Sequence, residues 1–160
     1  MNLFILSLCF DECAMYMIDK HISKMILEAV QMLCVAKRML QPDLVLHNLY
    51  RTSHKNHPVT IWIRTSLANY MWTLDMVDAM HKEWQYRYQH NKEHKSYTIA
   101  KWLRENAPPE ESFEQIGLTP FALAMPDQYK TNDPVESYRN YYKSKANFAT
   151  WKRRDKPEWF

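Results

Sequence analysis

The chain has 160 residues, of which 46% are hydrophobic and 24% charged, enough for one domain to bury a core without help from disulfides. A single glycine, Gly117, stands against 8 Pro, 10 Met, 6 Trp, 10 Tyr and 6 Phe, which disfavours hairpin-rich β folds and excludes glycine-rich phosphate loops. The 21 basic and 18 acidic groups divide unevenly: residues 1–127 carry 13 basic and 14 acidic, residues 128–160 carry 8 and 4, so the positive charge is C-terminal.

The apolar run Leu3–Phe10 comes first. It is too short to span a membrane, and the acidic Asp11 and Glu12 that follow it are wrong for a signal peptide. Cys9, Cys13 and Cys34 make neither a CxxC pair nor an even disulfide set, so a reduced, cytoplasmic chain with no membrane partner is expected. From Asp11, a capping residue, Ile18, Ile22, Met25, Ala29, Leu33, Ala36 and Leu40 recur at helical spacing and predict one long helix over 11–40, ended by Pro42. A polar connection over 41–57 leads to Pro58, which opens a second long helix over 58–88. Ser96–Asn106 predicts a shorter helix stopped by Pro108-Pro109, and Asp133-Pro134-Val135-Glu136 launches a last one to about residue 149. The expected fold is all-α, one compact domain over 1–160 with two long antiparallel helices, shorter C-terminal helices and an irregular basic, aromatic tail.

On the first helix His21, Lys24, Glu28 and Gln31 share one stripe. This is either a solvated face with an ordinary Lys24–Glu28 pair, or a site in which Glu28 acts as acid, base or cation stabiliser with His21 and Lys24 assisting. Asp19 either orients His21 or is a solvated acid. The segment Arg51–Pro58 sets Asn56 and His57 before a helix N-terminus, with Arg64 one turn in; it reads as a phosphate grip or as a capped polar loop. The histidines do not form a convincing metal set, and neither metal nor cofactor is expected. In the tail, Lys152, Arg153 and Arg154 alternate with aromatic residues, a pattern that suits phosphate contact and base stacking.

Asp19-x-His21-x6-Glu28, the apolar segment before it, Asn56-His57-Pro58 and Pro157-x-Trp159 together resemble the pyrimidine-dimer DNA glycosylases of the phage endonuclease V type. The segments Asp19-Lys20-His21, Asn56-His57-Pro58 and Met125-Pro126-Asp127-Gln128-Tyr129 are also similar to those of a group of phage proteins. The resemblance implies a small all-α enzyme that flips a nucleotide and cleaves its glycosidic bond, with Glu28 matching the family's first-helix glutamate and His21 the neighbouring histidine. The family's nucleophile is an N-terminal amine on a small residue; here Asn2 follows Met1, which places the expected amine on Met1. Leu27 and Gln31 stand where the family carries DNA-gripping arginines. The expectation is a DNA-binding glycosylase acting on a damaged or modified pyrimidine. The alternatives are a non-catalytic nucleic-acid-binding protein and an enzyme of another reaction type acting on modified bases or nucleotides.

Overall fold

The computed structural model describes all 160 residues. The chain forms six α-helices: α1 (Phe10–Tyr16), α2 (Asp19–Leu40), α3 (Pro58–Thr65), α4 (Leu67–Tyr88), α5 (Lys95–Glu105) and α6 (Pro134–Lys143). Three single 3₁₀ turns complete the regular structure, and the only β feature is an isolated bridge between Ser66 and Gln115. The all-α expectation holds. No helix is long and apolar enough to cross a membrane.

Both long helices that the periodicity predicts are interrupted, and the interruptions have the same cause. Between α1 and α2, Met17 and Ile18 are extended, fully buried residues. The backbone N–H of Ile18 donates to the Tyr142 hydroxyl (2.8 Å) and that of Asp19 to the Thr150 carbonyl (2.8 Å), so the C-terminal part of the chain supplies the partners that a continuous helix would have provided. Asp11 lies in the first turn of α1 rather than at its cap, which is Cys9. Between α3 and α4, Ser66 is extended; the 115–116 segment enters the gap, Gln115 N–H donating to Thr65 O (2.9 Å) and Ala68 N–H to Ile116 O (3.0 Å). Ser66 Oγ then caps α4 by accepting from Asn69 N–H (3.0 Å). At the other end of the chain α6 starts as predicted, Asp133 accepting from Val135 N–H (2.9 Å), but stops at Lys143, short of the expected residue 149.

The two 22-residue helices, α2 and α4, pack against each other at the centre. They bury Ile22, Met25, Ile26, Ala29, Val30 and Leu33 from one side and Tyr70, Leu74, Val77 and Met80 from the other. Tyr138 and Tyr142 of α6 are fully buried in the same core. The N-terminal segment Asn2–Ser7 is buried without being helical. It is anchored by Arg139 Nε donating to Leu6 O (2.9 Å) and by the amide of Leu6 against Cys13 Sγ (3.3 Å).

Arg87, 1% exposed, ties four elements together. Its guanidinium donates to Glu83 Oε1 (2.8 Å), Asp19 Oδ1 (3.1 Å), Ala14 O (3.2 Å) and Met15 O (2.9 Å). Glu83 also receives Arg154 from the tail at 3.0 and 2.9 Å, and Asp19 accepts from Thr150 Oγ1 (2.9 Å) and Lys152 N–H (2.8 Å). Asp19 is thus neither a solvated acid nor an orienter of His21. The chain takes left-handed φ at His54 (50°), Gln89 (53°) and Arg153 (60°), whereas Gly117 does not, and nothing lies within 4 Å of where its Cβ would be.

A candidate active site at Glu28

Glu28 sits in the middle of α2 with its side chain 13% exposed, held between the N-terminal segment and its own helix. Oε2 accepts from Asn2 N–H at 3.1 Å and lies 3.9 Å from the α-ammonium of Met1. Oε1 lies 3.9 Å from Lys24 Nζ, one turn earlier on the same helix. One carboxylate therefore has two amines at near-equal distance, one on the partly buried Met1 and one on Lys24, whose side chain reaches into solvent (62% exposed).

Asn2 explains how a bulky residue fits so close to this carboxylate. Its side chain is used by the fold: Nδ2 donates to Ala124 O (2.8 Å), and Oδ1 accepts from Leu3 N–H (2.8 Å) and from the Tyr138 hydroxyl (3.4 Å). The polar end points into the protein, so only the backbone of residues 1–2 faces Glu28.

His57 closes the site from the α3 side. Nδ1 accepts from Val59 N–H (3.1 Å), capping α3, and Pro58 occupies the first turn as the sequence predicts. Burial lowers its pKa, the Met1 ammonium and His54 add to this, and Glu28 and the Met1 backbone oppose it. The ring is thus held neutral beside the amine. His21 lies farther toward the start of α2. It stacks on Phe4 (4.8 Å, 7°), and its Nδ1 meets the Tyr142 hydroxyl at 2.9 Å. That hydroxyl also accepts from Ile18 N–H (2.8 Å), so Tyr142 joins the His21 ring to the start of α2. Burial, with Lys145 and Lys24 adding, pushes the pKa of His21 down to about 4.

Glu28, Lys24 and His57 thus converge with the N-terminal backbone, and His21 borders them through its field and its stack on Phe4. The other sequence candidates stand apart. Asn56 is exposed, and Arg64 donates to Lys55 O (2.5 Å), holding the 54–57 loop. Lys152, Arg153 and Arg154 gather at the end of α4, where Lys152 Nζ stands 5.2 Å over the Tyr88 ring, Arg153 donates to Tyr86 O (2.9 Å) and Arg154 is paired with Glu83. Lys145 is a group that the spacing did not reveal: it lies 4.5 Å over Tyr141 and 5.6 Å over Phe4, its pKa lowered by burial and by Lys24. A lysine 57 residues beyond the second predicted helix carries no periodic signal that would place it here. No cluster of three His, Cys, Asp or Glu side chains is arranged to hold a metal ion.

The family model for pyrimidine dimer DNA glycosylase matches residues 1–96. The chain belongs to that family. The match runs from the N-terminal segment through α4 and includes His21, Lys24, Glu28, Asn56, His57 and Arg64, while α6 and the tail lie outside it. No curated protein and no solved structure matches. Family membership gives the chain a DNA substrate and a glycosylase-like activity at the family level. For a pyrimidine dimer DNA glycosylase, a half-buried carboxylate flanked by amines is the kind of arrangement that can stabilise positive charge at a sugar C1′ and supply an attacking nitrogen.

Proposed function

We propose that the protein cleaves the glycosidic bond of a damaged pyrimidine in DNA, one member of a dimer in the first instance, with Glu28 as the carboxylate that stabilises the sugar cation. The observation that carries this reading is the position of Glu28 between the Met1 and Lys24 amines, each 3.9 Å away, in a chain of this family. As the glycosidic bond breaks, its electron pair leaves with the base, which takes up a proton, and the amine nitrogen bonds to C1′. Loss of the amine protons and opening of the sugar ring then give an imine. The resemblance to a family whose nucleophile is an N-terminal amine favours Met1 over Lys24. His57, neutral and packed against the Met1 backbone, holds that end of the chain in place. His21 acts on the site by fixing Phe4 and the start of α2.

The test is turnover on a duplex with one cyclobutane pyrimidine dimer, with borohydride present to reduce any imine. Wild-type protein is expected to cleave one glycosidic bond of the dimer, the base staying joined to its neighbour through the cyclobutane ring, and to leave a covalent adduct, and Glu28→Gln to lose at least ~100-fold in rate. Lys24→Arg retaining the adduct assigns the nitrogen to Met1; Lys24→Arg abolishing it assigns the nitrogen to Lys24. Glycosidic cleavage with no adduct points instead to water as the nucleophile, with Glu28 still essential. A Glu28→Gln protein that works at the wild-type rate removes the reading.

A further inference from the structure

A second feature lies away from Glu28, on the face made by α1, α6 and the tail. It is an open cleft of about 820 Å³, lined among others by Tyr16, Arg139, Arg153, Lys156 and Trp159. Arg139 forms its floor. The guanidinium lies 5.4 Å from the Tyr16 ring and 5.0 Å from the Trp159 ring, and those two rings meet edge to face at 5.6 Å. Its Nε is engaged by Leu6 O, which leaves both Nη groups without a protein partner. A guanidinium fork immobilised between aromatic walls with its outer donors free is preorganised for the oxygens of a phosphate. Arg153 is exposed above the cleft and pinned by its bond to Tyr86 O (2.9 Å); Lys156 is exposed. Arg154 also lines the cleft but is neutralised by Glu83, so Arg139, Arg153 and Lys156 face the two carboxylates of Asp155 and Glu158.

The geometry points to this cleft as a binding site for a backbone phosphodiester of duplex DNA, an anchoring contact outside the Glu28 site; it rests on the glycosylase reading above. Two observations favour the DNA backbone. The cleft is open and polar, unlike the enclosed apolar pockets that hold small ligands. It is also close to the Glu28 site along the chain: Arg139 holds Leu6 and Glu28 holds Asn2, four residues apart in one segment. That separation spans at most ~14 Å along the chain, about four base-pair steps. Arg139 and the tail residues lie outside the part of the chain that the family model matches, whereas Glu28 lies inside it.

The experiment is fluorescence anisotropy of the full chain on a labelled dimer-containing duplex across a salt series, for wild type, Lys156→Gln, Arg139→Met and a control, Lys95→Gln, an exposed lysine on α5. Lys156→Gln and Arg139→Met are each expected to weaken binding roughly threefold or more and to lower the salt slope by about one. Lys95→Gln should stay within about twofold of wild type. Because Arg139 is packed between rings, its variant is also checked by thermal melting, and the exposed Lys156 decides if Arg139→Met unfolds. The inference is overturned if Lys156→Gln keeps the wild-type affinity and slope, or if Lys95→Gln loses as much, which would make the effect one of net charge. A wild-type protein that binds and processes the duplex while Lys156→Gln is indistinguishable from it sinks the cleft alone. A wild-type protein that does not bind the duplex sinks both this site and the glycosylase reading.

Discussion

At the scale of single residues, His21 shows how a motif residue can be held in one protonation state by its surroundings. Phe4 covers one face of the ring, the Tyr142 hydroxyl is hydrogen-bonded to Nδ1, and Lys145 and Lys24 place positive charge nearby. Burial and the two nearby cations favour the neutral ring. With a pKa depressed to about 4 from the ordinary 6.5 of a free imidazole, the contribution of His21 to stability is fully present above pH 6.5 and is lost as the pH falls through 4. Chemical unfolding between pH 7 and pH 4 should therefore show an acid loss on the order of 2 kcal/mol that His21→Phe does not show. An equal acid loss in both proteins would place the titration elsewhere. The identity of His21 as a site residue was legible from its spacing to Glu28, but its burial was not, because Phe4, Tyr142 and Lys145 come from segments far apart in the chain.

At the scale of elements, helical periodicity located every helix and overlooked two breaks. Ile18 and Ser66 both fit the apolar or small positions of a continuous pattern, and neither is proline or glycine. What stops the helices there is tertiary: Tyr142 and Thr150 at the first break, Gln115 and Ile116 at the second. A serine in a long amphipathic pattern gives little warning that it will be a cap. Ser66→Ala should remove the bond from Asn69 N–H and cost about 1 kcal/mol in urea unfolding, with the fold retained because the 115–116 contacts are made by backbone atoms. Asp133 and His57, by contrast, were readable as helix starts from the proline that follows each of them.

At the scale of the molecule, the basic tail is partly consumed by the fold. Arg154 pairs with Glu83, which also holds Arg87, and Asp19 accepts from Arg87, Thr150 and Lys152. The C-terminal concentration of charge is plain in the composition, but composition cannot separate a cation that solvates a surface from one that closes a buried network. Arg87→Met would leave Glu83 with Arg154 as its one cation and Asp19 with none, and is expected to lower stability by about 3–5 kcal/mol. In a thermal melt, the tail should loosen with α1, since both are held through the same guanidinium. A loss below ~1 kcal/mol would mean that solvent replaces the network readily. The three left-handed positions carry a different consequence. A histidine, a glutamine and an arginine each occupy backbone territory that costs an L-residue roughly 1 kcal/mol or more, while the one glycine spends its freedom where nothing constrains it. The chain therefore holds unspent conformational entropy at residue 117 and backbone strain at residues 54, 89 and 153, so its thermal margin can be widened by moving where that freedom lies, without repacking the core or touching Glu28.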